Sequence, residues 1–139
     1  MSPVFLDTGY VIALEVVNDQ HHAAAIKHWD RFRRTASELV TTSFVLDEAI
    51  TFFTSRGMHA KAVEVWRRLM TSPSVRLEHV DEELLRTGFE YLVRRPDKRF
   101  SLTDCISFVL MNRLGIQDAL TFDRHFEQAG FARLPLRGV

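Results

Sequence analysis

The stretch VFLDTGYVIAL, residues 4–14, decides the fold class of this chain because it joins a buried strand directly to a helix. Val4, Phe5 and Leu6 form a short apolar run typical of a buried strand, and the apolar pattern resumes at Val11. Asp7 stands at the junction between the two. An aspartate there can cap the helix by accepting hydrogen bonds from its first free N–H groups. Asp7 is therefore either a helix cap or a functional carboxylate, and the positions of the other acidic residues distinguish these two interpretations.

The remaining chain alternates short apolar or β-branched segments with longer segments of helical periodicity. Strands are predicted over residues 3–6, 39–42, 75–79, 117–122 and 132–136, and helices over 9–16, 20–35, 43–56, 59–71, 81–94 and 103–114, with a short turn at 124–129. Strands that alternate with helices favour parallel βα units covered on both faces. We therefore predict an α/β protein, a three-layer α/β/α sandwich with a central, mostly parallel sheet.

The composition is that of one compact domain, which we assign to residues 1–139. Hydrophobic residues make up 46% and charged residues 26% of the chain, and 18 basic residues balance 18 acidic ones. A net charge of zero argues against a polycation that coats nucleic acid without specificity. Cys105, the one cysteine, excludes a disulfide framework and a thiolate zinc site. With no apolar stretch of about 20 residues and no signal peptide, we expect a cytoplasmic protein that is not in the membrane.

A second aspartate occupies a position like that of Asp7. In QDALTFDRHF, residues 117–126, the predicted strand ends directly at Asp123, and a helical turn follows. Ligands of parallel α/β sheets bind beyond the carboxyl ends of the strands. Capping remains the alternative for each residue alone, but two such carboxylates favour a shared site.

Two further acids lie within predicted helices. In TTSFVLDEAITFF, residues 41–53, the helical period places Glu48 between Phe44 and Phe52, while Asp47 falls on the solvent side. Glu48 is thus expected at the edge of the buried face, where a carboxylate needs a cation or a donor. The alternative is a border glutamate whose head reaches water.

Asp104 opens the last long predicted helix. In RFSLTDCISFVLMNRLG, residues 99–115, Ser101 is placed to cap the helix, with Asp104 reaching back in a capping box. The helix that follows is apolar almost all round, which indicates that it is buried. Asp104 would then sit at the positive end of a buried helix, where the dipole should lower its pKa and favour a bound cation.

Four acids, Asp7, Glu48, Asp104 and Asp123, are thus expected around one crevice. Clustered carboxylates repel one another unless protons or cations neutralise them, and oxygen ligands select Mg²⁺ or Mn²⁺ rather than zinc. Divalent ions in such sites promote hydrolysis of phosphodiesters by activating water and stabilising the leaving oxygen. We find no serine nucleophile elbow, glycine-rich phosphate loop or activated cysteine that would indicate another chemistry.

These motifs, in this order, resemble those of the PIN-domain ribonucleases, particularly the VapC-type toxins of bacterial toxin–antitoxin pairs. FLDTGYVIAL resembles the opening of the family, TTSFVLDEAI its second motif, SLTDCISFVLM its third and ALTFDRHF its fourth, with Thr121 as a nearby hydroxyl. Each motif alone is weak, but the ordered set spans almost the whole chain.

The resemblance implies a PIN-like fold, a homodimer, Mg²⁺ or Mn²⁺ as cofactor, and endonucleolytic cleavage of structured RNA such as tRNA or rRNA. It also implies a cognate VapB-type antitoxin. On this interpretation Asp7 and Asp104 are the principal metal ligands, and Glu48 and Asp123 serve the outer shell or a second ion. Thr8 and Thr121 would orient carboxylates or water.

Three other functions have sequence requirements that can be compared with this chain. A response-regulator receiver expects adjacent acids after the first strand, where Thr8 stands, and a lysine near the end, yet none follows Lys98. A haloacid-dehalogenase-like phosphatase expects an aspartate at the position of Gly9. A catalytically silent PIN-fold module that binds RNA or protein is not excluded by the intact acids.

Several other groups of residues carry weaker signals. The run from Arg94 to Arg99 is the best candidate for contacting RNA phosphates. His21, His22 and His28 are expected to be solvated or partly packed rather than metal ligands. The aromatic residues are expected mostly in the core, with base stacking and a dimer contact left open for Trp29, Phe53, Trp66 and Phe108.

Overall fold

A computed structural model describes residues 2–136 of the chain; Met1 and residues 137–139 of the predicted domain lie outside this range. The strands are β1 (Val4–Leu6), β2 (Leu39–Thr42), β3 (Val75–Glu78), β4 (Asp118–Leu120) and β5 (Ala132–Leu134). The helices are α1 (Thr8–Glu15), α2 (His22–Phe32), α3 (Ser43–Ser55), α4 (His59–Thr71), α5 (Glu82–Val93), α6 (Leu102–Leu114) and α7 (Arg124–Gln128). Each predicted strand and helix is present in the predicted order.

The strands form one sheet in the order β3-β2-β1-β4-β5, and every neighbouring pair is parallel. Side chains of a strand alternate between the two faces, so a strand covered on both sides must be apolar throughout. In β1, Phe5 packs in the cluster that contains Phe108 of α6, whereas Val4 and Leu6 pack in the cluster that contains Phe53 of α3. The predicted three-layer α/β/α sandwich is confirmed.

The differences from prediction lie at the ends of elements. Helix α2 begins at His22 rather than at residue 20, and it ends in a 3-10 turn, Arg33–Thr35, before Ala36 takes a left-handed φ of 57°. Strand β4 ends at Leu120 although Thr121 still donates its N–H to the Leu134 carbonyl, at 3.0 Å. Ends of this kind depend on single hydrogen bonds, which the apolar periodicity does not specify.

The order of the strands creates a crevice beside β1. The chain adds β2 and β3 on one side of β1 and then β4 and β5 on the other, so the direction of winding reverses between β1 and β4. The Asp7 N–H donates to the Leu120 carbonyl at 3.1 Å, which holds the carboxyl ends of the two strands side by side. This is the position at which open parallel sheets bind their ligands.

None of the helices described within residues 2–136 combines the length and the apolar composition that a membrane-spanning helix requires.

Candidate active site

Asp7 lies at the end of β1, buried at the reversal point of the sheet. It occupies the N-cap position of α1, but its side chain makes no capping hydrogen bond. The carboxylate instead accepts a hydrogen bond from the Thr121 hydroxyl, with Oγ1 and Oδ2 2.7 Å apart. The capping interpretation of Asp7 is therefore wrong, because its side chain faces across the crevice to the residues after β4.

The Thr121 hydroxyl links the two strand ends. Its oxygen also accepts the Asp123 N–H at 3.0 Å, so one buried hydroxyl positions the Asp7 carboxylate and the backbone of Asp123 together. This agrees with the orienting role expected for Thr121. The Thr8 hydroxyl instead donates to the Val45 carbonyl at 3.4 Å, so it ties α1 to α3 and does not orient an acid.

Asp104 enters the crevice from α6. Ser101 and Asp104 form the predicted capping box: the Ser101 hydroxyl accepts the Asp104 N–H at 3.0 Å, and Asp104 Oδ2 accepts the Ser101 N–H at 3.2 Å. The next seven residues of α6, 105–111, are all buried, as the apolar pattern predicted. These two hydrogen bonds hold the Asp104 carboxylate at the N-terminus of a buried helix.

Asp123 both caps a helix and joins the acidic site. Its Oδ1 accepts the His125 N–H at 2.9 Å and so begins α7. The Asp104 and Asp123 charges both contribute to raising the pKa of Asp7. The structure thus brings together Asp7, Asp104 and Asp123, three of the predicted acids.

Burial dominates the electrostatics of these carboxylates. Loss of solvent raises the pKa of Asp7 from 3.8 to about 7, opposed by the Thr121 hydrogen bond and reinforced by Asp104 and Asp123. Burial also raises the pKa of Asp104, although the hydrogen bond from His125 acts the other way. The expectation that the helix dipole would lower the pKa of Asp104 is wrong, because the cost of desolvating the carboxylate is the larger effect.

Glu48 is placed differently from the other acids. Like Asp47, its side chain is exposed, so the expected division between an inward Glu48 and an outward Asp47 is wrong. Glu48 lines a shallow pocket with Phe44 and with Thr103, the residue that precedes Asp104. It therefore borders the site from α3 without entering the buried group of carboxylates.

His125 is a site residue that the sequence interpretation missed. Its Nδ1 lies 3.0 Å from Asp104 Oδ2 and 3.5 Å from Asp123 Oδ1. One ligand atom from each of Asp104, Asp123 and His125 can be chosen so that all three lie within 4.8 Å of one another. One feature of the sequence could have identified His125. It lies two residues after Asp123, in the first turn of the short helix that follows the strand.

The remaining candidates mostly follow the expected pattern. His28 Nδ1 lies 2.7 Å from the Tyr10 hydroxyl, and His22 Nδ1 lies 2.7 Å from the Ala13 carbonyl oxygen, so both are partly packed as expected. Phe53 and Phe108 are core residues with no exposed surface, whereas Trp66 is 48% exposed. The segment from Arg94 to Arg99 follows α5 and is largely exposed.

Comparisons with known proteins identify the family of this chain. The family model described as "PIN domain" matches residues 4–132. The chain is 34% identical over 131 residues to the "23S rRNA-specific endonuclease VapC20" of Mycobacterium tuberculosis, strain CDC 1551 / Oshkosh, covering 94% of this chain and 97% of that protein. The same values hold for VapC20 of strain ATCC 25618 / H37Rv. This chain is a PIN-domain protein of the VapC type.

The fold of this VapC-type chain agrees with a solved relative. The crystal structure of M. tuberculosis VapC20, a "Sarcin-Ricin loop cleaving toxin", superposes with a TM-score of 0.82 at 33% identity, covering 93% of this chain and 96% of that one. The PIN-like fold predicted from the ordered motifs is confirmed.

The donor set fits the divalent ion that the PIN family implies. Buried Asp7 and Asp104, together with Asp123, supply oxygen ligands, which hard ions prefer. The raised pKa values of Asp7 and Asp104 indicate two carboxylates whose negative charge is poorly compensated by the protein itself. A cation in the crevice would supply that compensation.

Proposed function

We propose that this protein is a divalent-metal-dependent endoribonuclease, the toxin of a VapBC-type toxin–antitoxin pair. The observation that carries the proposal is the convergence of Asp7, Asp104 and Asp123 at the carboxyl ends of β1 and β4 and the start of α6. Three acids in one crevice, two of them buried, repel one another and carry a desolvation cost that a bound cation would offset. VapC-type membership supports RNA as the substrate.

Each acid has a proposed part in this chemistry. Asp7 and Asp104 would hold Mg²⁺ or Mn²⁺, with Asp123 and Glu48 at the rim to position water or a second ion. When bound, the ion activates water and stabilises negative charge on the phosphate. Thr121 holds the Asp7 carboxylate toward the ion, and the Ser101 cap holds that of Asp104, so neither acid must reorganise when substrate arrives.

For the substrate, we favour 23S rRNA over tRNA, which narrows the expectation from the sequence. Support comes from VapC20, which is named a 23S rRNA-specific endonuclease and is 34% identical along 94% of this chain. The sarcin–ricin loop, which VapC20 cleaves, is the first segment to test. Such a substrate would make the cytoplasm the place of action.

Two partners belong to the proposal. A VapB-type antitoxin would bind this chain and suppress cleavage, and addition of the purified antitoxin should abolish activity.

A homodimer also stays a prediction. The side chains of Leu85, Phe89 and Val93, spaced four residues apart on α5, are 38%, 55% and 57% exposed, and they support a contact between copies. Light scattering on the purified chain would decide the oligomeric state.

The decisive experiment is cleavage of three RNA pools by the purified protein: 23S rRNA, a sarcin–ricin hairpin and total tRNA. We expect discrete cuts in the first two with Mg²⁺ or Mn²⁺, none with chelator, and a loss of at least about 100-fold in Asp104→Asn. A folded, metal-loaded protein that cuts none of these pools would favour the alternative function, a silent PIN-fold module that binds RNA or protein.

Glu48 and Asp47 provide a matched pair in the same assay. Both are exposed acids on α3, one residue apart, but only Glu48 is proposed to serve the site. Glu48→Gln should slow cleavage, while Asp47→Asn should match the parent protein. Equal rates for the two variants would remove Glu48 from the proposed site.

A further inference from the structure

His125 lies against two of the acids in the crevice, Asp104 and Asp123. Its Nδ1 is 3.0 Å from Asp104 Oδ2 and 3.5 Å from Asp123 Oδ1, and the ring packs edge-on against Phe100, with centroids 5.4 Å apart and planes at 72°. The side chain is 28% exposed. Phe100, the start of α7 and the two carboxylates thus hold one nitrogen facing the acids.

A single hydrogen on Nδ1 cannot point at both carboxylates at once. Asp104 Oδ2 also accepts the Ser101 N–H, so this oxygen has a second donor already. An ion placed among Nδ1, Asp104 and Asp123 would instead contact all three groups. In an octahedral shell with bonds of about 2.1 Å, neighbouring ligand atoms lie about 3.0 Å apart. The observed separations of 3.0 and 3.5 Å are close to that spacing.

We propose that Nδ1 of His125 joins Asp7 and Asp104 as a ligand of the divalent ion, with Asp123 in direct contact with the same ion instead of serving water at the rim, and that this nitrogen makes the site prefer Mn²⁺ to Mg²⁺. The inference rests on the proposed function, because it concerns the same metal site. It adds one nitrogen ligand to the acids. It also distinguishes Mn²⁺ from Mg²⁺, which the carboxylates alone do not.

The preference follows from ligand chemistry. Mg²⁺ takes oxygen ligands almost exclusively and releases its water reluctantly. Mn²⁺ also favours carboxylate and water, but as a first-row transition ion it accepts one imidazole nitrogen in a mixed shell more readily than Mg²⁺ does. Replacing one oxygen of the shell by Nδ1 therefore costs Mg²⁺ more than Mn²⁺. The other protein ligands are carboxylates, which Mn²⁺ also accepts.

The rival explanation gives His125 a positioning role, in which Nδ1 only donates a hydrogen bond to Asp104. The two explanations predict different effects on the metal. Loss of a positioning residue should weaken Mg²⁺ and Mn²⁺ binding by similar factors, because it acts through Asp104. Loss of a nitrogen ligand should weaken Mn²⁺ much more than Mg²⁺.

The test is pulsed electron paramagnetic resonance of Mn²⁺ bound to the full chain at one fixed pH. A nitrogen bonded to Mn²⁺ couples to its electron spin, and incorporation of ¹⁵N-histidine changes that coupling in a known way. We expect the coupling in the parent protein and in His59→Gln, a control histidine exposed at the start of α4, and its loss in His125→Gln. Affinity for Mn²⁺ should fall at least about tenfold in His125→Gln, and that for Mg²⁺ less than about threefold.

Two results would overturn the inference: Mn²⁺ bound to the parent protein without nitrogen coupling, or equal losses of Mn²⁺ and Mg²⁺ affinity in His125→Gln. The first measurement needs no variant, so a misfolded variant would not rescue the proposal. RNA cleavage assayed in parallel separates the two proposals. Metal-dependent cleavage without nitrogen coupling would refute only the His125 ligand, whereas a folded protein that binds neither ion would refute both.

Discussion

At the scale of single residues, Asp7 shows most directly how the site works against the stability of the fold. Burial raises the pKa of Asp7 to about 7 in the folded chain, against 3.8 for an exposed aspartate. The folded state therefore favours the protonated acid. Protonation of Asp7 therefore stabilises the fold relative to high pH. This stabilisation is complete below pH 3.8 and is lost as the pH rises through about 7. A shift of this size corresponds to about 4 kcal/mol.

The corresponding prediction concerns Asp7→Asn in chelator. The free energy of unfolding of the parent protein should fall relative to that of the variant as the pH rises from 5 to 8, by about 2–3 kcal/mol, because part of the total is already lost between pH 3.8 and 5. Urea unfolding at several pH values measures it, with the exposed Asp47→Asn as control. Saturating Mg²⁺ or Mn²⁺ should reduce the difference, because the ion stabilises the carboxylate. Parallel curves for the parent protein and Asp7→Asn without metal would contradict this account.

Some site residues were predictable from the sequence and others were not. Asp7 and Asp123 follow predicted parallel strands, and Asp104 opens a predicted buried helix, so topology alone brings these acids toward one crevice. The prediction that Glu48 faces inward was wrong because Phe44 and Phe52, which define the edge of the apolar face, are themselves only partly buried. His125 escaped notice because its contact with Asp104 depends on side-chain directions across two elements, which periodicity does not encode.

At the scale of elements, the order of strands and helices was predictable because each buried strand is short, apolar and followed at once by a helix. The close approach of helices α5 and α6 was not predictable from the sequence. In α5, Gly88 is buried against α6, and a Cβ added there would lie 2.5 Å from Cγ1 and 3.2 Å from Cα of Ile106. A glycine in a helical pattern weakens the prediction of a helix, and only the packed structure gives its reason.

Gly88→Ala should therefore destabilise the fold although alanine favours helices. The added methyl group meets side chain and backbone of α6, and overpacking of this kind costs about 1–3 kcal/mol. Gly9→Ala in α1 is the matched control: nothing lies within 4 Å of its added Cβ, so the change should stabilise by about 0.5–1 kcal/mol. Urea unfolding of both variants at one pH measures the difference. Equal effects at the two sites would mean that α5 and α6 can separate without cost.

At the scale of the whole molecule, a net charge of zero must be reconciled with binding to RNA. An acidic crevice repels phosphates, so attraction has to come from a local basic surface beside it. The segment from Arg94 to Arg99 has four cations and leads into Phe100, whose ring contacts that of His125. Its basic side chains therefore lie close in sequence to a residue that packs against the site.

We expect the variant with Arg94→Ala and Arg99→Ala to bind RNA more weakly and with less dependence on salt. Each phosphate contact adds about 0.7–0.9 to the slope of log affinity against log salt, so losing two contacts should reduce the slope by about 1.5. Arg33→Ala with Arg34→Ala is the control: it removes the same charge from an exposed surface, where both arginines contact Asp30. Binding is measured with Asp104→Asn in every protein, so that the RNA stays intact. If the two double variants lower the slope equally, net charge alone governs binding, and the Arg94 to Arg99 segment makes no specific contact.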